Sequence, residues 1–574
     1  MPLASLFSQR ANSILSTMIP GTPRRAQRLL LAGLLPCLVA CVTPDIGGPV
    51  APRDDPEAGL LTLPSGTSVT VYPAELGYTG EATYRWPDGR IYEGNWIDGT
   101  PEGIGTDSTP DGEVYTGTFQ SGLRDGHGEL TLPDGSQYVG GFSQGTRAGE
   151  GTLRDASGLF RGQWLDDLPE GFGEFHGNDG STYRGMWERG LKSGYGSYIR
   201  ANGYRYEGDW SAGKPDGFGE METANGSSYA GSWQAGMRSG YGRAVAPGNL
   251  IYEGTWVADE RQGYGLETRP DGSSFQGEWL ADKRDGQGRE QHADGTYHDG
   301  AWEQNRMLGP GIRKDLAGIE ISGIWNGDLV STGLIILPTG LEYAGPLFRE
   351  FNTRVSPRLQ QWMHEAASRG DPYAQLMLAR MYLDFSDPAP DEAAARRWLE
   401  PAAEAGIAEA MYRLAIIWAD DNPSRTLALL VEAAGQKHPR ANALLGEYYQ
   451  RGKGVPRNAE TAMRYFEQGM AAGSLRARNN LAWLLATSAN AEIRNPARAI
   501  EIIGAIALYS GSWQYLDTLA AGHAAAGRYA VATRIQRQAL TAAADDPTAD
   551  TEPERLAMQH RLTLYESGKS YIDP

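Results

Sequence analysis

Cysteine is almost missing from this 574-residue chain: there are two, Cys37 and Cys41, both near the start. Their scarcity excludes a disulfide framework for the body of the protein, and with it any site built on several thiolates. Histidine is also sparse. Eight are scattered along the chain, and none shows H-E-x-x-H or another paired-ligand spacing. His292 and His298 flank Asp294 and are the nearest approach to a weak metal site; two ordinary exposed histidines are the simpler reading. No G-x-S-x-G or S-x-x-K elbow stands out, and most of the many carboxylates recur at repeat positions where turns and solvated strand faces account for them. A carboxylate pair of the glycosidase type depends on separation in space, which the sequence does not show. No catalytic, metal or cofactor residue is assigned, and the chain is expected not to be an enzyme. A basic surplus is missing too. The formal charge is -19, concentrated at about -18 over residues 92–345, which argues against a nucleic-acid partner.

Long apolar runs are absent except for one. Arg24, Arg25 and Arg28 precede "LLLAGLLPCLVAC", Leu29 to Cys41. A cationic stretch and a short apolar run make a secretory leader rather than a bilayer span. "LVAC", Leu38 to Cys41, resembles the lipobox of bacterial lipoproteins. That resemblance implies cleavage before Cys41, acylation of Cys41, and loss of Cys37 with residues 1–40. A secretory signal with an incidental cysteine is the alternative. Val42 in place of Asp tilts the reading toward the outer membrane, with the protein facing the periplasm. Met18 is an alternative start. Residues 41–68 are expected to form a flexible tether.

What the chain does have is glycine, 75 residues of it, placed with a long period. "YEGNW" at Tyr92 to Trp96 sets two aromatics four apart around a glycine. The first aromatic returns at Tyr115, Tyr138, Phe160, Tyr183, Tyr206, Tyr229, Tyr252 and Phe275; the second at Phe119, Phe142, Trp164, Trp187, Trp210, Trp233, Trp256 and Trp279. The step is 23 residues, with a single 22. Weaker copies follow at "HDGAW" (His298 to Trp302) and "ISGIW" (Ile321 to Trp325), with a half-copy at Tyr343 and a degenerate leading copy at "GEATYRWPDG". Residues i, i+2 and i+4 of a strand share one face, so Tyr92, Gly94 and Trp96 lie together and Glu93 and Asn95 face away. A turn at "DGTPEG", a second strand opening with Gly103 and Gly105, and a turn at Asp111-Gly112 make each phrase one hairpin. The glycine between the rings leaves room for a ring from the adjacent strand. Stacked hairpins bury the aromatic row against its neighbours. An open groove that stacks sugar rings is the alternative for that row. G-x-G, as at Gly171 and Gly173, opens a strand rather than a helix and is not a phosphate loop.

The phrase resembles the MORN (membrane occupation and recognition nexus) repeat over residues 69–345. The resemblance implies an elongated antiparallel β meander of about eleven hairpins acting as a scaffold. The kinase and methyltransferase domains that accompany such arrays elsewhere are not evident.

Beyond a linker at 346–356 the composition turns to Ala, Leu and Arg. "AQLMLARMY" (Ala374), "AMYRLAIIW" (Ala410), "ANALLGEYY" (Ala441) and "ARNNLAWLL" (Ala477) align with one another. In the clearest unit the first helix ends at Gly452 or Gly454. Asn458 caps the second, and Ala459, Ala462, Met463, Phe466 and Met470 form its apolar stripe. With its "RGKGVPRN" loop the unit resembles the Sel1-like repeat. Residues 515–540 look more like a tetratricopeptide repeat, with small Ala520, Gly527, Ala532 and Ala539 at close helix approaches. The resemblance implies an all-α solenoid over residues 357–574, ending in a capping helix and tail, with a groove for a peptide or helix.

The whole is expected to be a two-part repeat protein. It would be a lipid-anchored envelope scaffold that binds proteins and sits at the membrane through its acylated N-terminus; a carbohydrate or peptidoglycan binder is the alternative.

Overall fold

The computed structural model describes residues 58–71, 77–348, 355–384, 389–546 and 552–573. The leader and Cys41 lie outside these residues. Among the described residues are 26 strands in one sheet, followed by twelve helices.

The hairpin phrase folds as its alternation dictates. β4 (Ile91–Ile97) and β5 (Thr100–Ser108) pair around a turn at Asp98-Gly99. Tyr92 and Trp96 are buried, while Glu93 and Asn95 are exposed. Eleven such hairpins follow one another, from β4/β5 to β24/β25 (Glu320–Asn326 and Leu329–Ile336). β3 (Gly80–Arg85) and β26 (Glu342–Pro346) are the half-copies at either end. Each strand from β3 onward pairs antiparallel with the next, so the sheet is a pure meander.

Turn chemistry differs from the sequence expectation. The tight turn is confined to Asp98-Gly99, both at positive φ, and "TPEG" already belongs to β5. Asp111-Gly112 sits in a wider loop closed by Thr109 and Glu113, where Gly112 has positive φ. A two-residue turn with both residues left-handed matches the twist of a hairpin. The wider loop at the other end carries Asp-Gly for its single left-handed position.

The chain is ordered well before residue 69. β1 (Gly59–Thr62) pairs with β2 (Ser68–Val71) and with β3, and Leu61 is buried opposite Tyr84. The alternating Leu61 and Leu63 extend the apolar row beyond its first ring, so the expected tether does not reach residue 68.

The helical half starts with α1 (Pro357–Ser368), capped by Ser356, and α2 (Pro372–Asp384). Val355, Leu359, Met363, Ala374 and Leu378 share one buried cluster with Trp325, Val330, Ile335 and Tyr343 of the sheet. Residues 346–356 are thus not a free linker where described: the last hairpins and first helices bury one another's apolar faces. From there antiparallel helix pairs continue through α3 (Glu392–Glu404), α4 (Ala408–Ile417) and α5 (Pro423–Gly435). Next come α6 (Pro439–Arg451), α7 (Ala459–Ala471), α8 (Leu475–Thr487) and α9 (Pro496–Ser510). The series closes with α10 (Trp513–Ala525), α11 (Tyr529–Asp545) and α12 (Glu552–Glu566). α6 ends at Gly452 with φ 75°, and Asn458 caps α7 by accepting from the Thr461 amide at 2.8 Å. Ala520, Ala532 and Ala539 are fully buried at helix contacts, but Gly527 follows the end of α10 at positive φ, where an added Cβ would meet no neighbour.

The solenoid runs back along one edge of the sheet, on the wide-loop side. Thr339 donates to Asp371 at 2.6 Å, Arg380 pairs with Asp315, and Arg478 donates to the Pro270 carbonyl at 2.9 Å. The backbones of Gly473 and Ala293, and of Gly248 and Ala505, come close further along. As helices are added, the loops they touch step back toward the N-terminus.

Candidate interaction surfaces

The aromatic row is a core. Rings meet edge to face in an unbroken ladder: Tyr183 lies 5.2 Å from Trp187 and 5.3 Å from Trp210, and Tyr206 5.1 Å from Trp210 and 5.4 Å from Trp233. Each phenol donates to a carbonyl three residues on, as Tyr206 does to Asp209 at 2.9 Å. Burial raises the Tyr92, Tyr138, Tyr183 and Tyr206 pKa values, which keeps these donors protonated. Each indole N–H reaches the repeat before it, as Trp233 does to the Gly219 carbonyl at 3.1 Å.

G-x-G has a division of labour. Gly103 is left-handed at a bulge, where β5 runs extra residues against the Gly94–Trp96 stretch of β4. Gly105 lies under the Tyr92 ring, and a Cβ there would collide with it. The ring over the glycine is thus Tyr92, from the strand next to Gly105.

Cations close the row from above. Arg147, Arg238 and Arg261 lie 4.4, 4.0 and 4.1 Å over the rings of Trp164, Trp256 and Trp279. Asp167, Asp259 and Asp282, each the second residue of a tight turn, pair with them at 3.1, 2.9 and 2.9 Å. These aspartates tolerate positive φ where other repeats use glycine, and their carboxylates also accept the arginine amides. Most rings are under a tenth exposed, so sugars find no open face on this row.

His298 belongs to it. Its ring stands 5.4 Å from Trp302 and 5.3 Å from Trp325, in the place of a tyrosine, and it is buried rather than exposed. Burial, with Arg313 nearby, pulls its pKa down to about 4. His292 is exposed, and Asp294 is taken up by Thr296 in its own turn. No group of three metal-ligating side chains occurs among the described residues.

The opposite face of the sheet is open. The middle residue of G-x-G points outward in each of the ten hairpins that carry it, and in five successive ones it is a large aromatic: Phe172, Tyr195, Phe218, Tyr241 and Tyr264, 45–62% exposed. Sequence reading passed over this second row, although its 23-residue period is as plain as the first.

In the helical half a groove of about 690 Å³ opens among α6, α8, α10 and α12. Glu447 takes both nitrogens of Arg476 and the Asn480 amide at 2.8 Å. Asp517 takes Arg561 at 2.9 and 2.8 Å and Gln536 at 2.7 Å. Burial pushes the Asp517 carboxyl up against the pull of these partners. Asn479 Oδ1 and Trp513 Nε1, on the groove lining, are buried without a hydrogen-bond partner among the described residues. The chain's own tail lies along this groove. The Tyr571 ring is 5.9 Å from Trp483, with Arg561 over both rings. Asp573 accepts from Trp483 Nε1 at 3.4 Å, donates its amide to the Thr487 carbonyl at 2.8 Å, and bridges Ser488 in parallel.

One further buried cluster is structural. His438 caps α6 through Nδ1 and bonds Glu409 through Nε2 at 2.9 Å. Burial pushes Glu409 up, but His438 and Arg413 outweigh it and hold the carboxyl at about 2.

Residues 92–114, 115–137, 138–159, 160–182, 183–203, 206–228, 229–247, 252–274 and 275–297 match the family model of the MORN repeat. Residues 372–407 and 439–474 match that of the Sel1 repeat. Among solved structures, a Sel1 repeat protein from Oxalobacter formigenes is similar at 27% identity over 19% of this chain and 88% of its own, with a TM-score of 0.19. So is c5321, a protective antigen present in uropathogenic Escherichia coli strains displaying an SLR fold, at 22% identity and a TM-score of 0.30. That match covers 36% of this chain and about half, 52%, of c5321. No curated protein matches the chain.

Proposed function

We propose that this chain, which carries nine MORN repeats followed by two Sel1 repeats, is a non-catalytic, lipid-anchored scaffold of the cell envelope that binds partner proteins. Sel1 repeats generally mediate protein–protein interaction. The observation that carries the reading is the tail: it reaches the groove at Asp573 and is anchored by a hydroxyl, a backbone and an indole hydrogen bond. A groove that holds a segment of its own chain has the donors, acceptors and indole rings to hold one from a partner. Anchoring is supported by the leader and by Leu38 to Cys41, with Cys41 acylated and the repeats on the periplasmic side of the outer membrane. Among the described residues no helix is long and apolar enough to cross a membrane.

The test uses the chain lacking residues 570–574 and a synthetic peptide of the tail, GKSYIDP. The truncated chain is expected to bind this peptide in trans, and Trp483→Ala to abolish binding. A photo-crosslinker at Asn480 of the full chain should then capture envelope proteins that the peptide displaces. If the truncated chain ignores the peptide, the groove is not a peptide site.

A further inference from the structure

The open face of the sheet pairs aromatics with carboxylates. Strands lie about 4.8 Å apart, so rings two strands apart recur every ~9.6 Å, and the five from Phe172 to Tyr264 span about 38 Å. Glu207 accepts the Tyr195 hydroxyl at 2.8 Å, and Glu253 accepts that of Tyr241 at 3.0 Å. Glu174 and Glu220 follow Phe172 and Phe218 by two residues on the same strands, hence on the same face. Asp209 also lies there, next to Phe218, whose amide it accepts. Against these acids the same face has Arg161, Arg184, Arg205 and Arg243, of which Arg161 and Arg243 are strand partners of Glu174 and Glu253.

One position of the row already shows what such a pairing holds. Arg184 places its guanidinium 5.5 Å from the Phe172 ring centre and pairs with Glu174 at 2.9 Å. Arg184 is one strand partner of Glu174, and Arg161 is the other. Two hairpins on, Phe218 and Glu220 repeat the arrangement, but the strand partners of Glu220 are Glu207 and, in the place of Arg184, Ala230. The ring and the carboxylate are present there and the side chain that would supply the cation is a methyl group.

We propose that the open face of the sheet from Phe172 to Tyr264 docks an arginine-rich extended segment of a partner protein. Guanidinium groups would sit on Tyr195, Phe218 and Tyr241 and pair with Glu207, Glu220 and Glu253. A guanidinium gains from the ring quadrupole and from the carboxylate together. Spacing selects the backbone of the occupant. A polyproline II segment returns to the same face every three residues, about 9.3 Å, close to the ~9.6 Å of the rings. A β-strand repeats every two residues, at about 6.8 Å, and slips out of step after one ring. The occupant is therefore a segment with arginine at every third position, running across the strands. The surface is separate from the helical groove, so either can fail without the other.

The test is fluorescence anisotropy of a labelled (Arg-Pro-Pro)₄ peptide with the full chain, across a salt series, with (Gln-Pro-Pro)₄ and a soluble β-1,4-linked N-acetylglucosamine oligosaccharide alongside. Binding of the arginine peptide alone is expected, weakening as salt rises. The double variant Tyr195→Thr/Tyr241→Thr should weaken it about tenfold, since two exposed cation–ring contacts are lost. Thermal unfolding should be unchanged, because both side chains point away from the core. Ala230→Arg should also weaken binding, by filling the slot from within as Arg184 does. Equal binding of the glutamine peptide, no effect of either variant, or salt-insensitive binding of the oligosaccharide in place of the peptide would each overturn the proposal.

Discussion

Trp210 donates its indole N–H to the carbonyl oxygen of Gly196 at 3.1 Å, and Gly196 lies beneath the ring of Tyr183. One tryptophan therefore ties its own hairpin to the backbone of the one before, and the same bond recurs at Trp187, Trp233, Trp256, Trp279, Trp302 and Trp325. Two substitutions separate the ring from the bond. Trp210→Phe keeps an apolar ring and leaves the Gly196 carbonyl unpaired, and should cost about 1–2 kcal/mol. Trp210→Ala removes the ring as well and should cost about 3–5 kcal/mol. Trp325, near the end of the repeat series, is not an edge ring, because Val330, Ile335 and the first helices enclose it. Its alanine variant should cost as much as that of Trp210. Denaturant unfolding followed by tryptophan fluorescence measures all three.

His298 gives the row a response to acid. An unfolded histidine titrates near 6.5. In the row, burial first and Arg313 second pull it down to about 4. Above the unfolded value neither state holds the proton and the contribution of the site is complete. As pH falls from about 6.5 toward 4, the unfolded chain takes up a proton that the folded row refuses, and stability drops by about 1.4 kcal/mol per unit. His298→Tyr restores the ring found in most other repeats and should flatten this part of the profile. Unfolding midpoints of both chains between pH 7.5 and 4.5 decide it: parallel curves would mean that His298 is not the group responsible.

Much of the fold was legible because the repeat is written in side chains that local physics constrains. Tyr92, Gly94 and Trp96 had to share a face, and the period of 23 carried that face through eleven hairpins. The same is true of Gly452 and Asn458, whose roles at helix ends follow from backbone conformation and capping alone. Three things were not legible. The docking of helices on the wide loops depends on contacts such as Arg478 with Pro270, which lie far apart in sequence and have no motif. The pairing of Arg238 with Asp259 needs the turn geometry before the two residues can be seen as neighbours. The outward row from Phe172 to Tyr264 was visible as a period but hidden by interpretation, since G-x-G draws attention to its glycines and not to what lies between them.

Membrane attachment should depend on one atom, the sulfur of Cys41. With Cys41→Ser the chain should remain unprocessed or leave the membrane fraction, and incorporation of a palmitate analogue should vanish. Labelling that persists in this variant would remove the lipoprotein reading, whatever the repeats do.

Without that anchor, the repeats should not adhere to anionic bilayers. Adsorption of that kind draws on clustered lysine and arginine, each contributing about 1 kcal/mol near the surface. Here residues 92–345 sum to about -18. Several of their arginines are also committed: Arg147, Arg238 and Arg261 lie over tryptophan rings and pair with aspartates, Arg284 pairs with Glu290, and Arg269 bridges Glu267 and Glu290. The open face adds Glu207, Glu220 and Glu253, which repel phosphate headgroups. Co-sedimentation of the Cys41→Ser chain, with residues 1–40 removed, on phosphatidylglycerol vesicles should leave it in the supernatant, most completely at low salt, where repulsion is least screened. Binding that strengthens as salt is lowered would instead require the remaining arginines, such as Arg161, Arg205 and Arg243, to act as a basic surface among these acids.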